Sequence, residues 1–67
     1  MSRGELKMIR LIADTIKDAG ADGIPSGMLY SALMNNFSSV DAYQSFVDML
    51  KRAGLVSETG HVLRFIA

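Results

Sequence analysis

Cysteine is absent from the 67-residue chain, which excludes a disulfide framework, a thiolate metal site and a cysteine nucleophile. That composition suits a reducing compartment, and the expectation is a cytoplasmic protein. Long apolar runs are also missing, far short of the ~20 residues that cross a bilayer. The Met1-Ser2-Arg3-Gly4 start carries no hydrophobic stretch of the signal-peptide kind, so a soluble chain with no membrane partner is expected. Charge of one sign is lacking too: seven basic side chains face seven acidic ones. No overall basic footprint is available to draw a polyanion, which weighs against strong non-specific DNA binding.

Chemistry-bearing constellations are as scarce. His61 is the single histidine, with no acidic cluster near it at ligand spacing and no oriented partner for general-base work. Glu58, across a turn, is the nearest acid. Gly20, Gly23 and Gly27 match neither common nucleotide-binding fingerprint. No metal, cofactor, small-molecule substrate or enzymatic activity is expected. There is no repeat, low-complexity tract or linker, so residues 1–67 read as one domain.

What the chain does have is apolar character, 49% of its residues with a mean hydropathy of +0.22. At this size a single core barely offsets chain entropy, and some of that apolar surface is expected to meet a partner. From Glu5 to Ala19, Leu6, Ile9, Ile12, Ala13, Ile16 and Ala19 recur at helical spacing opposite Lys7, Arg10, Asp14, Lys17 and Asp18. Gly20 ends that helix. Asp22-Gly23-Ile24-Pro25 is extended, because a residue before proline avoids the α region. Ser26 is then placed to cap a second helix, Gly27 to Asn35, so apolar that it is expected to be mostly buried. Asn35 and Asn36 tolerate the left-handed conformation that would stop it, and Ser38 or Ser39 can cap the next.

The third helix, Val40 to Ala53, has the cleanest pattern. Val40, Ala42, Tyr43, Phe46, Val47, Met49, Leu50 and Ala53 fill one half of the wheel; Asp41, Gln44, Ser45, Asp48, Lys51 and Arg52 fill the other. Phe46, central to the apolar half, is expected to contact both other helices. After Gly54, two runs rich in β-branched and aromatic residues flank a break at Thr59-Gly60 and read as a hairpin.

Helix, extended segment, helix, tight turn, helix and hairpin together resemble the winged helix-turn-helix family over nearly the whole chain. The local carriers are Gly23-Ile24-Pro25-Ser26 entering the second helix and Leu50-Lys51-Arg52-Ala53-Gly54-Leu55-Val56 leaving the third. The resemblance implies an α+β fold, mainly α, with three helices followed by a C-terminal β-hairpin. It also implies that the segment around Ile24 is often a third, edge strand. Val40 to Ala53 would be the recognition helix, Thr59 to His61 the wing tip, and DNA binding the commonest activity.

Two functions from different classes follow. The first is a DNA-binding domain, a dimeric transcriptional regulator. Lys51 and Arg52 would grip phosphate, Gln44 and Ser45 would read base edges beside Ser39, and His61 and Arg64 would act from the wing. The second is a winged helix that binds another protein and no nucleic acid. The polar half of the third helix sets Asp41 and Asp48 against Lys51 and Arg52, where a phosphate-facing surface should be positive. Five methionines, with Met8, Met28 and Met34 near the edges of their stripes, hint at an interface. Met8, Leu11 and Thr15 form a row of low charge beside the core stripe of the first helix, a candidate homodimer contact.

Overall fold

The computed structural model describes residues 3–66; Met1, Ser2 and Ala67, and with them the first two residues of the start read above, lie outside it. Helix α1 spans Arg3–Asp18, beginning two residues before the expected start and ending one before the expected end. Its stripe narrows to Ile12 and Ile16, both fully buried. The chain leaves α1 through Gly20, whose N–H donates to the Lys17 carbonyl at 3.1 Å. Strand β1, Ile24–Pro25, follows. It is the short edge strand that the resemblance implied, with Pro25 on an edge where its missing donor costs no ladder bond.

Helix α2 is Ser26–Leu33 and departs from expectation at both ends and along its length. Ser26 is its first residue and caps nothing with its side chain. Instead its own N–H, one of the amides left without a partner at a helix start, donates to the His61 carbonyl at 2.7 Å, so the wing satisfies it. The far end runs into a 3-10 turn, Met34–Asn36, with neither asparagine left-handed. Phe37 closes that turn, its N–H donating to Met34 O at 3.2 Å. Only Leu29 and Leu33 of α2 are buried, while Met28 stands 61% exposed and Met34 48%. A helix of two turns touches the core with one side, whatever the composition of the other.

Helix α3, Val40–Arg52, is capped by Ser39, whose Oγ accepts the Ala42 N–H at 3.1 Å. Its C-terminus is a Schellman motif: Gly54 N–H donates to Lys51 O and Leu55 N–H to Leu50 O, each at 3.1 Å. The buried face is narrower than the wheel suggested, with Tyr43, Val47 and Leu50 inside and Phe46 half-buried at its flank.

Strands β2, Val56–Thr59, and β3, Val62–Phe65, form the hairpin. The turn sits one residue later than the Thr59-Gly60 break, at Gly60-His61, with φ of 57° and 65°. Positive φ at both central residues is what a type I′ turn demands; Thr59, β-branched, stays extended and pairs with Val62. The sheet order is β1-β3-β2, all antiparallel. Leu63, in the middle strand, is fully buried, and with Ile12, Ile16, Leu29, Leu33, Tyr43, Val47, Leu50 and Val56 it forms the core. This is an α+β chain, mainly α, in a winged-helix layout of three helices and a hairpin.

Tyr43 joins the parts. Its ring meets Tyr30 at 5.0 Å and Phe37 at 5.6 Å, both edge-on, and its hydroxyl donates to the Ser26 carbonyl over a long 3.3 Å. Burial, and secondarily the Glu58 carboxylate, push the phenol pKa above its ordinary value. A pKa raised by folding contributes stability that is whole below the unfolded value, about 10, and is lost as pH rises through the folded one. Urea midpoints should therefore hold from neutral pH to about pH 9 and fall above about pH 10. Tyr43→Phe should cost about 0.5–1 kcal/mol at neutral pH and make the alkaline fall shallower. An equally steep fall in the variant would rule out this origin.

Candidate interaction face on helix α3 and the wing

By the helical repeat of ~100° per residue, Asp41, Gln44, Ser45, Asp48 and Arg52 share the outward side of α3, with Lys51 on the margin facing the hairpin. Most are already engaged. Ser39 Oγ is occupied as the helix cap. Gln44 Nε2 donates to Asp48 Oδ1 at 3.0 Å, and Ser45 Oγ donates to the Asp41 carbonyl at 2.9 Å. Lys51 Nζ donates to Glu58 Oε1 at 2.8 Å and lies 4.0 Å from Asp48 Oδ1. That hydrogen bond, outweighing a small desolvation and helped by the charges of Glu58 and Asp48, holds the Lys51 ammonium pKa above its ordinary value. Arg52 is exposed, with no side-chain hydrogen bond or ion pair among the described residues.

The sheet separates the remaining candidates. Directly opposed residues of an antiparallel pair share a face. Glu58 pairs with Leu63 and Val56 with Phe65 on the core side, whereas Ser57 pairs with Arg64 and Thr59 with Val62 on the other. Arg64 thus lies on the sheet face opposite the one Lys51 reaches. Its Cγ stands where a side chain on Gly23 would go, 2.7 Å from an ideal Cβ. His61 is exposed at the wing tip. Lys51, Arg52 and Arg64 do not form one positive surface. Helix α3 and strand β2 themselves carry Asp41, Asp48 and Glu58 against Lys51 and Arg52, three carboxylates to two cations.

Two features escaped the sequence reading. Glu58 as the partner of Lys51 was hidden because the Schellman turn and the strand bring together residues seven apart; the signal was the alternation that puts Glu58 on the same face as Val56. The other is an apolar flank of α3. Ala42 and Phe46 are half-buried, Met49 is 37% exposed and Ala53 is exposed, although all four were assigned to the buried half. Phe46 extends this flank to Phe37, with ring centroids 5.8 Å apart.

The row proposed on α1 has partial partners inside the chain. Met8, Leu11 and Thr15 are half-buried, Leu11 packs against the core, and Thr15 Oγ1 donates to the Leu11 carbonyl at 2.7 Å. It offers less free apolar surface than the pattern suggested. Among the described residues no three of His, Asp and Glu are placed to hold a metal ion, and no helix is long and apolar enough to cross a membrane. No protein-family model, characterised protein or solved structure matches the chain.

Proposed function

We propose that this chain is a protein-interaction module built on a winged-helix layout, without enzymatic activity, whose ligand is another polypeptide and not a nucleic acid. The observation that carries this reading is the Lys51–Glu58 contact of 2.8 Å. It spends Lys51 on a carboxylate of the same chain and leaves α3 and β2 with three acids to two bases. Phosphate binding depends on uncompensated cations that displace counterions. Met28, Met34, Val40 and Met49 are exposed, and such side chains suit a protein partner. A cytoplasmic setting belongs to the reading, since no cysteine ties the chain to an oxidising compartment.

The layout and the exposed Arg52 favour a second reading, a DNA-binding regulator acting through α3 and the wing. A titration of labelled random duplex DNA at two salt concentrations separates the two. The proposal expects no saturable binding in the micromolar range. Binding that falls about tenfold or more over a fourfold rise in salt would overturn it. In that case Lys51→Ala and Arg52→Ala would each lower the salt slope by about one, and Gln44→Ala would relax a base preference.

A further inference from the structure

The apolar flank of α3, half-buried at Ala42 and Phe46 and exposed at Met49 and Ala53, is self-complementary, and we infer that its partner is a second copy of this chain. This inference rests on the protein-interaction reading. Ala42, Phe46, Met49 and Ala53 follow one another at steps of four, three and four, the spacing of a seam that packs helix on helix. Place a second α3 antiparallel across a twofold axis at the middle of that seam. Ala42 then faces Ala53 of the other copy, and Phe46 faces its Met49. Small residues at both ends let the backbones approach, and a thioether meets an aromatic ring twice in the centre. Such an isologous contact repeats every favourable pairing.

The flanking charges agree with this arrangement. Asp41 in the first turn and Arg52 in the last lie on the same outward side of the seam. In an antiparallel pair each falls within two residues of the position facing the other, so the long Arg52 side chain reaches Asp41 of the second copy. Neither side chain has an ion pair among the described residues, whereas Asp48 and Lys51 are occupied within the chain. A parallel pair, whose twofold axis runs along the helices, would put the two outward sides on opposite faces of the seam, so that Asp41 and Arg52 would not meet.

Sedimentation equilibrium at micromolar concentration tests this. The parent should be a dimer, and Met49→Glu should raise the dimer dissociation constant about tenfold or more, since the change occurs twice in one interface. Asp41→Arg and Arg52→Asp should each weaken the dimer several-fold, and the double variant should recover most of the parent affinity. Met49, Asp41 and Arg52 are exposed, so circular dichroism should show each variant folded. A parent monomeric at that concentration, or a dimer indifferent to Met49→Glu and to the charge reversals, would overturn the inference. The duplex titration reads the broader proposal separately: a monomer that ignores DNA sinks this interface alone.

Discussion

Gly23→Ala is expected to leave most of the protein unfolded, while Gly20→Ala leaves it folded. Both glycines have positive φ, +76° and +78°, so a side chain at either meets the left-handed cost of about 1–2 kcal/mol. Only Gly23 is crowded. An ideal Cβ there would stand 2.6 Å from the Leu63 carbonyl oxygen, 2.7 Å from Arg64 Cγ and 2.8 Å from Val62 Cγ1, whereas at Gly20 nothing lies within 4 Å. The arginine stem can move; the carbonyl belongs to the central strand and cannot move without disturbing the Ile24–Leu63 pairing. Overpacking of this kind adds about 1–3 kcal/mol, against a core of this size that rarely supplies more than about 3–5 kcal/mol. Urea melts followed by circular dichroism read the difference. Equal losses at the two glycines would show that the approach of β1 to β3 is not tight.

Leu50→Ala should cost about 2–5 kcal/mol and exceed the loss from Phe46→Ala. Leu50 is 1% exposed, in contact with a core drawn from all three helices and the sheet, and truncation leaves a cavity that small neighbours cannot fill. Phe46 is the larger side chain and the one its helical pattern marks as central. In the fold it is half-buried at the flank, resting on Phe37, and its truncation should cost about 1–2 kcal/mol of lost burial. Parallel denaturant titrations of the two variants test the ranking. A larger loss at Phe46 would mean that α3 is rotated about its axis relative to the structure.

The contrast between these two residues shows how far local pattern reaches. A serine cap at Ser38 or Ser39, Gly54 as terminator, the stripe of α1 and the hairpin were legible because each depends on a few consecutive residues. The burial of α2 was not: Met28, Ala32 and Met34 are as apolar as Leu29 and Leu33, and only tertiary placement decides which side faces in. The face of Arg64 depends on the hairpin register, which the left-handed His61 sets by moving the turn one residue along. The loss of Lys51 to Glu58 requires both the chain reversal after α3 and the strand alternation. Charge counted along α3 alone gives two acids against two bases, whereas α3 and β2 taken together carry three against two.

That acidic balance around α3 is the centre of the functional proposal, and amide resonances report on it residue by residue. Proton–nitrogen correlation spectra of the uniformly labelled protein, recorded at low salt with and without excess random duplex DNA, should leave the amides of Asp41, Gln44, Ser45, Asp48, Lys51 and Arg52 where they were. Saturable shifts clustered on those residues and on His61 at the wing tip would contradict the proposal and make α3 a DNA-reading helix.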